Sequence, residues 1–499
     1  MANLSRLVRH HALRNPDRIA LAFAGEHVSY GGLWNRIRSI AAMLRAHGAK
    51  SGDRVALLMK NSTAFIEIAL AVSHAGAVLV PINFRLAPAE IDYILRDSGA
   101  VLLFCDEELA QWNVAVPEVI IVTSQAQNNA SLLAEAAGDE SMAPVYDTDL
   151  MRIMYTSGTT DHPKGVMHSY RNFYAKSADH IVELGLSPGT RLLMAGPLHH
   201  VGAFDLPGIA VLWAGGMLCI QRDFDAIDAL DLMEAERLTA AWTAPVMVGA
   251  LLTAQQQSPR DVSSLEWVIG GGERTPEARI HAFSEAFTNA RYIDAYGLTE
   301  TCGGDTLMER GRELEKIGSV GRALSQVDIE IRDEKGHALP PGEEGEVCLR
   351  GAKVTQGYWN APEKTAASFW GDWLRTGDAG FLDEEGFLTL TDRMKDMIVS
   401  GGENIASSEV ERVIQQLPQV QDCAVIGAPD ERWGERPVAV IVLQPDAQLS
   451  EDDVRAHCRS HLASFKVPDR VIFAASLPRS ASGKVLKREL RSSIAENGR

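Results

Sequence analysis

Over the first half of the chain, apolar residues at helical spacing alternate repeatedly with short unbroken apolar runs. Leu33, Ile37, Ile40, Ala41 and Leu44 recur at a helical period and stop at Gly48, and Arg54-Val55-Ala56-Leu57-Leu58-Met59 then reads as a buried strand. The same alternation returns at residues 101–105, 119–122 and 191–195. Such repetition predicts a layered α/β architecture with mostly parallel sheets.

The texture changes after about residue 320. Val327-Asp328-Ile329-Glu330-Ile331 alternates like a half-exposed strand, and Pro340-Pro341-Gly342-Glu343-Glu344-Gly345 is a turn cluster, which predicts a smaller β-rich subdomain. A third texture begins near Arg393. There Ser408 and Glu411 read as a capping box, and Val410, Val413, Ile414 and Leu417 form a helical stripe ended by Pro418. Strands at 422–427 and 438–443 follow. A chain of 499 residues is long for one core. The expected organisation is a large domain at 1–394, with its β-rich subdomain at about 320–394, and a small α+β domain at 395–499.

A net charge of −18 argues against nucleic acid or an anionic membrane as partner, because both require clustered Lys and Arg. Six cysteines lie far apart without a CxxC pair, so reduced core thiols are expected rather than disulfides or a zinc site. Residues 64–82 form the most membrane-like run, but Glu67, His74, Gly76 and Pro81 interrupt it, and a buried helix leading into a strand explains it better. Without an evident secretory or lipidation signal, the cytoplasm is the expected location. A homodimer is compatible with the sequence.

The most informative string is Tyr155-Thr156-Ser157-Gly158-Thr159-Thr160-Asp161-His162-Pro163-Lys164-Gly165, directly after the apolar Ile153-Met154. Small hydroxylated residues and glycine let backbone N–H groups and hydroxyls wrap a polyanion, and Lys164 adds a cation. The Walker A pattern GxxxxGK[ST] is absent. Gly270-Gly271-Gly272-Glu273 follows an apolar strand, and glycine there allows close backbone approach to a flat ligand or simply a tight turn. Tyr296-Gly297-Leu298-Thr299-Glu300-Thr301, Trp373-Leu374-Arg375-Thr376-Gly377-Asp378 and Pro478-Arg479-Ser480-Ala481-Ser482-Gly483-Lys484 complete the set.

In these motifs and their order the chain resembles the adenylate-forming superfamily of acyl-CoA synthetases, luciferases and peptide-synthetase adenylation domains. The resemblance implies an AMP-forming acid–CoA ligase: a carboxylate attacks the α-phosphate of ATP, pyrophosphate leaves, and the thiol of coenzyme A then takes the acyl group. It implies that Thr156, Ser157, Gly158, Thr159, Thr160 and Lys164 hold phosphate, and that Gly271, Gly272, Glu273, Tyr296 and Gly297 surround the adenine. Thr299 would bond the α-phosphate, and Glu300 would hold Mg²⁺, a hard cation suited by a carboxylate. Asp378 and Arg393 would meet the ribose, and Lys484 would stabilise charge on the transferred group. Lys395 matches the hinge about which the small, mobile domain rotates. One departure stands at Asp161, where the superfamily usually has glycine and where an acid would repel phosphate unless turned outward or paired.

The same resemblance places CoA near Ser400, Gly401, Gly402, Trp433 and Lys466, although a half-exposed core Trp and a solvated Lys explain the last two as well. His200, Val201, Phe204, Trp242, Gly270, Gly304 and Asp305 would line the acyl pocket, with the glycines leaving depth. Asp305 would accept from a phenolic hydroxyl unless it is a solvent-facing loop acid. Phe204-Asp205 superficially resembles the acid that holds an amino acid's ammonium in peptide-synthetase domains, but Pro197-Leu198-His199-His200 fits the acyl-CoA synthetase pattern better. An aromatic acid such as ferulate is expected, with medium- or long-chain fatty acids close behind and carrier-protein loading as a further alternative.

Overall fold

The computed structural model describes residues 2–110, 116, 118–122, 141–156, 163–272, 275–393, 396–400, 403–430, 434–462, 464–479 and 485–497. Contacts divide the chain into two units, residues 1–329 with 349–374 and residues 330–348 with 375–499. The boundary expected near residue 395 falls inside the second unit.

Two α/β sheets dominate the first unit. The six-stranded sheet runs Val119–Val122, Ala100–Asp106, Arg54–Leu58, Val78–Pro81, Leu150–Thr156, Lys164–Ser169, and only its last pair is antiparallel. The nine-stranded sheet runs Arg322–Ala323, Thr306–Leu307, Arg291–Tyr296, Trp267–Gly271, Ala240–Thr243, Arg191–Met194, Met217–Ile220, Ile19–Phe23, Glu26–Ser29, and its six central strands are parallel. Both carry the repeated strand–helix alternation of the sequence.

Local chemistry explains the element ends. Ser62 accepts from Phe65 N to cap the helix Thr63–Ala75, which stops at Gly76 with φ of 77°. The strand Val78–Pro81 follows at once, as the interrupted apolar run predicts, and no helix among the described residues is long and apolar enough to cross a membrane. Ser169 and Asn172 cap the helix Tyr170–Glu183 reciprocally, which fixes where the strand Lys164–Ser169 gives way to helix. All six cysteines are buried and free.

A five-stranded sheet of Val327–Arg332, Gly345–Gly351, Trp373–Leu382, Phe369–Trp370 and Leu388–Arg393 supplies the expected β-rich segment. In the second unit, the strands Val420–Asp430 and Gly434–Leu443 form a long antiparallel pair, with Arg470–Phe473 parallel to the latter. Ile398, Ile405, Val410, Ile414, Val425, Ile441 and Val454 pack into its core. The helix Ser407–Ile414 corrects the expected capping box. Glu411 does not reach back to Ser408; it accepts from Val425 N at 2.7 Å and pairs with Lys487 at 2.8 Å, while Ser408 bonds the Thr391 carbonyl.

Candidate active site

The phosphate-loop motif springs from an antiparallel hairpin, in which Thr156 pairs with Lys164 and Tyr155 with Gly165. Ser157, Gly158, Thr159, Thr160, Asp161 and His162 lie outside the described residues. Thr156 Oγ1 is buried with no hydrogen-bond partner among the described residues. Gly165 must be glycine, because a Cβ would lie 2.7 Å from Ile153 Cγ2.

Lys164 extends from this hairpin to the turn Thr299–Thr301. Its Nζ donates to the Tyr358 hydroxyl at 3.0 Å and stands 3.5 Å from Glu300 Oε1, and Tyr358 donates to the same oxygen at 2.9 Å. The single 3₁₀ turn is held by distant partners. Thr355 N donates to Glu300 O at 2.7 Å, Thr301 Oγ1 donates to Asp305 at 2.5 Å, and His168 Nε2 donates to Thr299 O at 2.6 Å. Cys302, with φ of 60°, ends the turn in the left-handed region. Gly297 lies so close to the Gly304 backbone that a Cβ would come within 2.3 Å of its nitrogen, so the two backbones bracket the turn.

Behind the turn lies a buried ionic layer. Arg152 grips Asp205 with two nitrogens at 3.1 and 2.6 Å, and Lys176 donates to the Asp205 carbonyl at 2.6 Å. Lys353 pairs with Asp305 at 3.3 Å and bonds the Gly304 carbonyl. Arg152, Asp205, Lys176, Lys353 and Asp305 all have fully buried side chains. Removing such charges from water is affordable only with this degree of pairing. Burial lowers the Lys176 pKa to about 8, while the charge of Asp205 opposes that fall.

Asp305 is therefore not a solvent-facing loop acid: its buried carboxylate accepts from Thr301 at Oδ2 and lies 3.3 Å from Lys353 Nζ at Oδ1. Asp205 is likewise committed to Arg152 and Lys176, so it has no role in holding an amino-acid ammonium. The Phe204 ring packs against Phe65 and Phe173 and under Arg152, in the core.

Around the expected acyl pocket, His200 Nδ1 accepts from Gly202 N at 3.2 Å, which orients the ring at the start of a helical turn. Its neighbour His199 is buried, and burial lowers its pKa to about 3. At Gly270 and Gly304 the depth expected from glycine is taken up by rings, and a ring also crowds Gly196 and Gly202. A Cβ on Gly196 or Gly202 would lie 2.2 Å from Trp242, and one on Gly270 would lie 1.6 Å from the Tyr292 hydroxyl, which bonds Thr275. Gly304 makes room for His180, and Gly303 faces Val201 at 3.4 Å. Gly271 and Gly272 end the strand without such crowding, and Tyr296 is buried at the end of the adjacent strand. Glu273 lies outside the described residues.

In the second unit, Asp378 and Arg393 are direct partners on antiparallel strands, so the two residues expected at the ribose sit side by side along the backbone. Asp378 N donates to Thr376 Oγ1 at 3.1 Å, and Gly377 N donates to Glu346 at 3.0 Å, which shapes the turn before it. Ser400 pairs in register with Glu403 and Gly434. Lys466 is not a free cation: Glu409 holds it at 2.6 Å. Arg479 and Val485 form an antiparallel bridge. Lys484, Lys395, Gly401, Gly402 and Trp433 lie outside the described residues. Sequence reasoning missed Tyr358, Thr355, His168, Arg152 and Lys353; Gly357-Tyr358-Trp359-Asn360 was the one local signal available.

A hairpin whose Lys164 reaches a Thr-Glu turn, set on two mostly parallel α/β sheets, is the framework of an adenylate-forming enzyme. Comparison with known proteins gives the family. Residues 8–359 match the AMP-binding enzyme family and residues 409–484 match the AMP-binding enzyme C-terminal domain. The chain is 37% identical to a feruloyl-CoA synthase of Amycolatopsis sp over 481 residues, covering 96% of each protein. It is 36% identical to the long-chain-fatty-acid–CoA ligase FadD13 of Mycobacterium tuberculosis over 499 residues, covering 98% of each. The structure of the o-succinylbenzoate CoA synthetase of Bacillus subtilis with its acyl-adenylate intermediate superposes with a TM-score of 0.88 at 30% identity, covering 97% of each chain. The chain belongs to the AMP-binding enzyme family, among its acyl-CoA synthetases, and is an AMP-forming acid–CoA ligase.

Proposed function

We propose that the acid is a compact, oxygenated aromatic one of the hydroxycinnamate type, such as ferulate. The carrying observation is that the Trp242 and Tyr292 rings fill the space beside Gly196, Gly202 and Gly270, while Val201 closes on Gly303. A flat ring fits between such walls, whereas a long alkyl chain needs an open channel. The buried Trp242 indole N–H has no hydrogen-bond partner among the described residues, so it leaves a donor for an oxygen substituent.

In this reading Lys164 and the Thr299 hydroxyl bind the phosphates and orient the α-phosphorus toward the acid's carboxylate, and His200 walls the carboxylate end. The carboxylate forms a bond to phosphorus as the bond to pyrophosphate breaks; the CoA thiolate then attacks the acyl carbon and AMP leaves. Catalysis here is mostly positioning and charge stabilisation. Among the described residues no three His, Cys, Asp or Glu form a metal cage. One carboxylate, Glu300, would hold Mg²⁺, a hard cation that would supply neutralisation of phosphate charge. Lys484 stabilises the adenylation step, and rotation about Lys395 brings the CoA segment near Ser400 and Lys466 to the adenylate. The supply of ATP and CoA fits a cytoplasmic location.

A panel of acids assayed for AMP and pyrophosphate release with ATP, Mg²⁺ and CoA tests this. Ferulate and 4-coumarate should exceed decanoate and palmitate in kcat/KM by at least roughly tenfold, the discrimination a shaped apolar pocket supplies. The reverse order would make the protein a fatty acid–CoA ligase.

A further inference from the structure

Lys164 and His168 stand four residues apart on the strand Lys164–Ser169, on the same face. Both reach the Thr299–Thr301 turn: Lys164 Nζ lies 3.5 Å from Glu300 Oε1, and His168 Nε2 lies 2.6 Å from the Thr299 carbonyl. The strand therefore attaches to the turn at two points, one through charge and one through the backbone.

The imidazole is held in one tautomer. Arg152 Nε can only donate, and it meets His168 Nδ1 at 3.1 Å, so Nδ1 accepts and the proton stays on Nε2, facing Thr299. The bidentate contact with Asp205 in turn fixes the guanidinium. A histidine that only filled the core would need neither a committed acceptor on one side nor a short bond to this particular carbonyl on the other.

We infer that His168 is a positioning residue for adenylation: its Nε2 proton fixes the Thr299 carbonyl, and thereby the Thr299 hydroxyl and the Glu300 carboxylate relative to Lys164. Burial and the Arg152 charge hold the ring's pKa well below the usual histidine value, so the neutral donor persists across working pH. This inference rests on the adenylating role proposed for the turn.

Two amide substitutions separate the contacts. His168→Asn can still accept from Arg152 but is too short to reach Thr299, whereas His168→Gln can place an N–H near Thr299. Acid-dependent ATP–pyrophosphate exchange should fall roughly ten- to a hundredfold in His168→Asn, the scale of a small misplacement of reacting groups. Thioester formation from supplied acyl-adenylate and CoA should not change, and His168→Gln should recover most of the exchange. Both rates are read on one preparation, so their ratio is independent of the fraction folded. If His168→Asn does not accumulate, His168→Met fills the site without a donor and carries the same expectation. An equal fall in both half-reactions, or a donorless variant that exchanges as fast as His168→Gln, would overturn the inference. Glu300→Gln run alongside should lose exchange; full exchange in that variant would refute the role of the turn itself and the inference with it.

Discussion

Tyr358 donates its phenolic hydrogen to Glu300 Oε1 across 2.9 Å and accepts one from Lys164 at 3.0 Å. One hydroxyl thus links the cation of the phosphate-loop hairpin to the acid of the Thr-Glu turn. Burial and the Glu300 charge push the phenol's pKa up, so it stays protonated and keeps donating. The Lys164 ammonium also lies 4.2 Å from the centre of the Tyr358 ring, which supports it from a second direction.

Tyr358→Phe keeps the ring beneath Lys164 and removes only the bridge. A hydrogen bond to a charged group is worth about 1.5–3 kcal/mol, so ATP–pyrophosphate exchange should fall by roughly ten- to a hundredfold. Initial-rate kinetics in ATP would check this, and the melting temperature should move little. Unchanged exchange would show that Lys164 and Glu300 are aligned without the phenol.

Much of the fold was legible because its signals are local. The stripe from Leu33 to Leu44, the buried run after Arg54 and the interrupted apolar stretch around Gly76 each specify one element through spacing and punctuation. The strand that ends at Thr156 was legible from the apolar Ile153-Met154 before it. The ionic layer behind the Thr299–Thr301 turn was not. Arg152, His168, Asp205, Asp305 and Lys353 come from separate segments, and a buried lysine has the same letter as a solvated one. Gly270 was misread for a related reason: its missing side chain admits Tyr292, a residue twenty-two positions on that no local pattern links to it. The Ser408–Glu411 spacing met the capping rule, but Lys487 and Val425 compete for the same carboxylate, and tertiary pairing prevails.

Acid should weaken the fold through its buried histidines. The His74 pKa is lowered to about 4 from 6.5, mainly by burial and further by the charges of Arg45 and Arg38, and its Nδ1 meets Ser5 Oγ at 2.9 Å. Between these two values the unfolded chain binds a proton that the folded ring refuses. The stability contribution is therefore complete above 6.5 and is lost as pH falls toward 4, at about 1.4 kcal/mol per pH unit for one such group. His74→Gln should flatten the acid limb of stability against pH by about that slope. Urea unfolding across the window measures it, and parallel acid limbs for the two proteins would contradict it.

If the acid is aromatic as proposed, Trp242 is the wall to test. Its ring occupies the space that a side chain at Gly196 or Gly202 would need, and the register places it between Met194 and Ile269 on a central parallel strand. Shortening it should open room along the helical turn after His200. Trp242→Ala is then expected to raise kcat/KM for decanoate relative to ferulate by at least roughly tenfold, at a stability cost of about 3–5 kcal/mol for the lost packing. Gly202→Ala tests the same wall from the opposite side, because its Cβ would sit 2.2 Å from Trp242 Cζ2 and drive the ring toward the acid. Ferulate turnover should fall in that variant, while pyrophosphate exchange with a smaller acid such as acrylate should fall less. If the two substitutions lower activity with every acid by one common factor, Trp242 is a core residue and the acid is chosen elsewhere.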